Sequence, residues 1–176
     1  EQLLYGLMLR SGNDAAVAIA EYISGDVDSF AALMNQEAAA MGATRSHFVN
    51  PNGLPDENHY TCVYDMYLIF SNAVKNDTFV SIIGTTSYDV TYTDASGEAV
   101  THTWENTNQY LTGNATTPDG FQIVGGKTGT TGEAGYCLVL YSYNPSGQPI
   151  ISIVFKADGK SNLYLLMYEM LQGFAI

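Results

Sequence analysis

Ala134-Gly135-Tyr136-Cys137-Leu138-Val139-Leu140-Tyr141-Ser142-Tyr143 is the run on which the fold turns. Its even positions (Tyr136, Leu138, Leu140) and its odd ones (Cys137, Val139, Tyr141) are apolar alike. A strand with one wet face alternates, whereas a strand covered on both faces does not. The run therefore predicts a central strand with a layer on each side. Asn144-Pro145-Ser146-Gly147 carries the residue types of a hairpin turn, and Ile150 to Phe155 reads as the antiparallel return. A helix rich in Leu and Met, from Ser161 to about Gln172, has to pack on that sheet.

Upstream, Tyr88, Val90 and Tyr92 alternate with Asp89, Thr91 and Thr93, the pattern of a half-buried strand. Asp94-Ala95-Ser96-Gly97 turns it into a partner ending at Trp104, and the stretch beyond reads as irregular. The first half of the chain reads as helices. Leu3, Leu4, Leu7 and Met8 keep helical spacing over residues 1–10. An alanine-rich helix runs from Asp14 to Ile23 and stops at Gly25. Residues 27–41 place Val27, Phe30, Ala31, Met34, Ala38 and Met41 on one face, and Thr61 is expected to cap a helix reaching Val74. Segregated helices and strands define an α+β fold with an antiparallel sheet.

A chain of 176 residues suits one domain. Six basic residues against 18 acidic give a net charge of −12. That balance disfavours nucleic acid and anionic lipid as partners. No apolar run approaches the roughly 20 residues of a membrane-spanning helix. Charged residues make up 14%, against about 25% in an average soluble domain, and the polarity comes from Thr, Ser, Asn, Gly and Tyr; this leans towards an extracytoplasmic protein. Cys62 and Cys137 form no framework by spacing and are expected as two buried free thiols, a single bridge being the alternative. His47, His59 and His102 are scattered and make no metal site, and no cofactor is implied. The chain has no initiator Met and begins inside a helical pattern, as if cut from a longer one.

Two segments carry chemistry. Gly125-Gly126-Lys127-Thr128-Gly129-Thr130 is not a phosphate-binding loop, because Phe121 stands where the first glycine is needed and a strand follows where a helix should. By itself it reads equally as a glycine-rich strand entry with a solvated lysine. Ser11-Gly12-Asn13-Asp14 has the residue types of a helix cap. A cap needs one such residue, however, and this stretch sets three around a glycine between two helices, which would aim side chains into a cleft.

Ser-x-x-Lys, Ser-Asp-Asn and Lys-Thr-Gly are an established signature of class A β-lactamases and penicillin-binding proteins. Here Ser11-Gly12-Asn13 stands in the second slot and Lys127-Thr128-Gly129 in the third. Between and after them come Phe48-Val49-Asn50-Pro51-Asn52-Gly53-Leu54-Pro55, His59-Tyr60-Thr61, Asn106-Thr107-Asn108 and Glu133-Ala134-Gly135-Tyr136-Cys137-Leu138-Val139, in that order. The chain resembles the low-molecular-mass penicillin-binding proteins, the secreted bacterial serine D-alanyl-D-alanine carboxypeptidases (peptidase family S11), from about residue 1 to the last helix.

The resemblance implies a β-lactamase/penicillin-binding-protein-like transpeptidase fold, with a helical part over about 1–80 and a sheet part with its C-terminal helix over about 81–176. It implies cleavage of the terminal D-alanine from peptidoglycan stem peptides through a serine acyl-enzyme, and acylation by β-lactam antibiotics. In such a site Ser11 relays a proton, Asn13 holds the substrate amide, and Lys127 sets a positive field. Thr128 offers its hydroxyl to the substrate carboxylate, Gly129 lets the substrate backbone approach, and Thr130 donates a backbone N–H to the oxyanion.

The signature's first slot is empty. Three residues before Lys75, Lys127, Lys156 and Lys160 stand Asn72, Val124, Ile153 and Ala157, so the chain has no Ser-x-x-Lys. The expectation is a partial catalytic domain over 1–176, lacking the N-terminal strands and the nucleophile helix and inactive alone. A non-catalytic module binding peptidoglycan or penicillin is the alternative, and a serine β-lactamase ranks lower for want of a suitably placed Glu. Only Arg10 and Arg45 are available as arginine clamps and neither lies on the late strands; Lys156 and Lys160 are candidate substitutes, but both read first as solvated strand-end lysines. Cys137 and the tyrosines at 136, 141 and 143 read as sheet packing.

Overall fold

The computed structural model describes residues 1–175. In chain order the elements are α1 (Gln2–Arg10), α2 (Asn13–Ser24), α3 (Val27–Ala40), α4 (Val63–Ala73), α5 (Asp77–Ile83), β1 (Ser87–Thr93), β2 (Ala99–Glu105), β3 (Gln122–Thr131), β4 (Gly135–Tyr143), β5 (Pro149–Ala157) and α6 (Lys160–Gln172). Strands β3-β4-β5 form an antiparallel three-stranded sheet in that order, and β1-β2 form a separate hairpin.

The reading of β4 as a central strand covered on both faces holds. On one face Leu138 and Leu140, with Val154 of β5, pack against Leu163, Met167 and Leu171 of α6. On the other, Val139 meets Phe70 of α4 and Ile83 of α5, with Ile153 and Phe155 of β5 alongside. The turn after β4 forms as its residues predict, Gly147 adopting φ 76° and donating its N–H to Asn144 O at 2.8 Å.

Two elements were not legible in the pattern. Strand β3 falls where the sequence reads as irregular, because Gly125, Gly126 and Gly129 interrupt any alternation and glycine is a poor strand former. Its pairing partners supply the order: Gly126 faces Leu140, Thr128 faces Leu138 and Thr130 faces Tyr136. Helix α5 has only seven residues, and its start is fixed by the side chain of Asn76, which accepts from Phe79 N at 3.1 Å. The glycines explain how the two meet. A Cβ on Gly125 would lie 2.5 Å from Ile83 O, and one on Gly84 would lie 2.6 Å from Val124 O. Backbone thus rests on backbone, which only glycine permits.

The hairpin docks on α1 through aromatic rings. Tyr5 and Tyr88 stack with centroids 3.9 Å apart, and Trp104 lies over Gly6, where a Cβ would meet its ring at 3.3 Å. The expected cap of α4 is displaced by one residue. Cys62, not Thr61, is the N-cap, and the Thr61 hydroxyl pairs with Ser46 Oγ at 2.8 Å. The buried Asp65 carboxylate in the first turn accepts from Arg45 N at 2.7 Å and Ser46 Oγ at 2.8 Å. Burial pushes this acid up, but the hydrogen bonds outweigh it and hold it below the usual carboxylate value. The long loop over 41–62 is thereby tied at both ends, since Asn35 of α3 also clamps Phe48 through bonds of 2.7 and 2.8 Å.

On the helical side an apolar opening of about 480 Å³ runs between α2, α3 and α4, lined by Ile23, Phe30, Met34, Met41, Phe48 and Met66. The apolar stripe predicted for residues 27–41 is therefore only partly covered: Ala31 and Ala38 are buried, while Phe30 and Met34 face this space. Cys62 and Cys137 are free thiols, half-buried rather than fully buried.

Gly125→Ala tests the backbone contact between α5 and β3. The added methyl forces the two elements apart, and a stability loss of about 1–3 kcal/mol in urea unfolding is expected, as for overpacked cores. Gly147→Asn, at an exposed turn with positive φ, should change stability far less.

Candidate active site

Helix α1 ends in a left-handed turn at Ser11, with φ 56° and ψ 43°. Gly12 N donates to Gly6 O and Ser11 N to Leu7 O, both at 3.1 Å, which closes the C-terminal end of α1. Helix α2 starts immediately, with Gly12 as N-cap and no side-chain cap bond. The capping alternative for Ser11-Gly12-Asn13-Asp14 is thus not what these side chains do. Among the described residues Asp14 accepts only from the adjacent Ala15 N, at 2.9 Å, and Asn13 stands exposed on the first turn of α2.

Ser11 Oγ instead accepts a hydrogen bond from Lys127 Nζ, across 116 residues of sequence. Lys127 lies in mid-β3 opposite Val139, and its ammonium also donates to Thr128 O at 2.6 Å. Among the described residues no carboxylate pairs with it. Burial without a counter-charge lowers its pKa to about 8 from the ordinary 10.5. The alternative of a solvated lysine on a strand entry does not survive this geometry.

The next residues of β3 form the open part of the site. Thr128 Oγ1 pairs with Thr107 Oγ1 at 2.6 Å. Gly129 and Thr130 are exposed, and a Cβ on Gly129 would meet nothing within 4 Å. Thr107 is a residue whose role sequence reasoning missed, although its motif stood out. The segment around it is rigidly held. Asn106 is buried, donating to Thr85 O at 2.9 Å and accepting from Asn108 N at 2.9 Å, and Thr107 N reaches Leu9 O at 3.3 Å. The hydrogen-bonded cluster at the junction of sheet and helices is thus Ser11, Lys127, Thr128 and Thr107.

Beyond Thr131 the site opens into a cavity of about 850 Å³, with the 53–61 loop on one side and Thr131, Glu133, Cys137 and Phe155 on the other. It shares Phe48 and Met66 with the apolar opening between the helices, so the two adjoin. Lys156 lies on its rim with φ 58°, whereas Lys160 begins α6. His59, also at this cavity, accepts from Val49 N at 3.1 Å through Nδ1, and burial lowers its pKa, which fits a structural imidazole.

The fold of the chain matches the crystal structure of the Streptomyces K15 DD-transpeptidase with a TM-score of 0.87 at 33% identity, covering 99% of this chain and 67% of that one. The α+β fold is therefore that of the penicillin-binding DD-peptidases. The sequence profile of the D-alanyl-D-alanine carboxypeptidase family, peptidase S11, matches residues 1–159, and the chain belongs to that family. Its similar proteins include the D-alanyl-D-alanine carboxypeptidase DacF of Bacillus subtilis, 36% identical over 90% of this chain and 38% of the relative. The D-alanyl-D-alanine carboxypeptidase of Streptomyces sp. strain K15 is 37% identical over 87% of this chain and 53% of the relative. The chain thus spans between 38% and 53% of the length of these curated relatives.

Lys127 should titrate near pH 8, visible as a shift of its Cε and Hε NMR signals, well below the ordinary lysine value of 10.5. The sign follows from desolvation, which penalises the ammonium, so Lys127 loses its charge as pH rises through about 8. A Lys127 midpoint near 10.5 would remove the desolvated site.

Proposed function

We propose that this chain is the relay-and-strand portion of a serine D-alanyl-D-alanine carboxypeptidase, acting outside the bacterial cytoplasm on peptidoglycan stem peptides and acylated there by β-lactams. The observation that carries the reading is the Lys127–Ser11 hydrogen bond, which brings the second and third elements of the signature to one point. Peptide cleavage by a serine requires a base-activated hydroxyl, an oxyanion site and a proton for the leaving amine. Ser11, with the Lys127 proton behind it, supplies the last. Thr128 and the Lys127 ammonium receive the terminal carboxylate, Asn13 receives the substrate amide, and the exposed edge at Gly129 and Thr130 takes the substrate backbone, with Thr130 N–H at the oxyanion. No helix among the described residues is long and apolar enough to cross a membrane.

The nucleophile is not among these 176 residues, since no serine stands three positions before a lysine. It has to come from a segment carrying Ser-x-x-Lys. The chain by itself is then catalytically silent towards peptides. The absent Ser-x-x-Lys favours one other reading, a module that binds peptidoglycan or penicillin without cleaving it.

Intact-mass spectrometry after incubation with benzylpenicillin separates these readings. A protein joining this chain to a preceding Ser-x-x-Lys segment should gain one penicilloyl group, and the 176-residue chain none. Absence of acylation in both would remove the carboxypeptidase reading and leave the module. In the longer protein, Ser11→Ala and Lys127→Ala should each lower kcat/KM for a D-Ala-D-Ala peptide by about 10²–10⁴.

A further inference from the structure

We infer that Ser11 and Lys127 form a second serine–lysine dyad, able to take an acyl group onto Ser11 from an activated ester without the missing Ser-x-x-Lys serine. The parts are those a serine nucleophile needs. Ser11 Oγ is exposed and hydrogen-bonded to a lysine amine. The amine is itself oriented by Thr128 O at 2.6 Å. In its neutral form Lys127 donates N–H to that carbonyl and turns its lone pair to the Ser11 hydroxyl, which is the polarity general-base catalysis requires.

The backbone adds two features. Ser11 occupies a left-handed conformation that non-glycine residues seldom adopt, in the turn between α1 and α2. It also stands one residue before Gly12, the N-cap of the 12-residue helix α2, whose first-turn N–H groups at Asn13 and Asp14 have no intrahelical acceptor. Those groups, with the exposed Asn13 carboxamide, offer donors for a developing oxyanion.

The charged groups around Lys127 do not oppose the neutral amine. Helices α1 and α2 bring Arg10 and Asp14 to the turn, β2 ends in Glu105, and β4 places Val139 opposite. Among the described residues none of these carboxylates pairs with Lys127, and burial lowers its pKa to about 8. A useful fraction of the base form therefore exists at neutral pH.

The step balances as an acyl transfer. With p-nitrophenyl acetate, the Ser11 Oγ–H proton passes to Lys127 Nζ as Oγ bonds the acetyl carbon. The carbon–oxygen bond to the aryl group breaks, nitrophenolate leaves with the electron pair, and Lys127 returns its proton to solvent. Nitrophenolate needs no proton to depart, so no separate relay is required. An amide or β-lactam leaving group does need one, and Ser11 cannot be both nucleophile and relay; this keeps the inference separate from the carboxypeptidase reading.

The test is p-nitrophenyl acetate on the 176-residue chain, read by intact mass and by peptide mapping of hydroxylamine-labile adducts. The expected result is one ester-linked acetyl on Ser11, formed with a rate that rises with pH and levels off above about 8. Lys127→Arg, which keeps the cation but is no base, should slow it by about a hundredfold. Ser11→Gly, which suits the left-handed turn, should abolish the adduct while leaving the circular dichroism spectrum intact. Acetylation confined to other side chains would overturn the dyad, as would an unchanged rate in Lys127→Arg. If the Lys127 variant does not fold, the wild-type pH profile decides, because a rate still climbing past pH 10 would mean that no lowered amine acts as base.

Discussion

Leu138 and Val139 are neighbours in sequence and point to opposite faces of β4, where each enters a different apolar core. The elements packed on the sheet are placed by that double demand. Helix α6 exists to cover Leu138 and Leu140. Helices α4 and α5 cover Val139. Strand β3 is held by nine backbone pairings with β4, from Gln122 opposite Tyr143 to Thr131 opposite Gly135. Because β3 has few side chains of its own to bury, its position, and therefore that of Lys127, is inherited from β4. The lysine is set against the end of α1 by a sheet whose own cohesion lies elsewhere.

The electrostatics of that junction run against the rest of the molecule. A chain of net charge −12 has carboxylates in surplus, yet the described residues leave Lys127 with a hydroxyl and a carbonyl only. Burial is offset by dipoles rather than by an ion pair, which is why the amine softens instead of becoming a fixed cation. An unpaired, partly desolvated ammonium on a strand edge is costly for a structure and useful for a site. The neighbouring threonine pair, Thr107 and Thr128, keeps the same character of neutral donors and acceptors that can be re-partnered.

Much of this was visible in the amino acids. The two-sided apolar run of β4, the Asp94–Gly97 and Asn144–Gly147 turns and the helix at the C-terminus all follow from local pattern. So did the four helices before Val74, because their apolar spacing and glycine stops are local too. Strand β3 and helix α5 were not visible, since what defines them is mutual. Gly125 and Gly84 carry no propensity for either element and matter only where their backbones touch. The helix cap at Thr61 was misplaced by one residue because the Thr61 hydroxyl found Ser46 instead. At the site, the residue types of Ser11, Asn13, Lys127 and Thr128 were legible as an ordered set of motifs. The Ser11 contact with Lys127 was not, because capping and catalysis call on the same side chains. Thr107 had no signal beyond its place in a motif, since it lies outside any strand and its partner Thr128 is on β3.

The left-handed turn at Ser11 also narrows what evolution can place there. Glycine is at ease in such a backbone but brings no oxygen. Asparagine tolerates it and carries an amide in place of a hydroxyl. Threonine has the hydroxyl, but its branched Cβ makes it a rare visitor to that region. The position thus sits at the overlap of two short alphabets, one written by φ and ψ and the other by chemistry, and serine is nearly alone in both. Drift at this site is confined by the shape of the main chain before any selection on reactivity acts.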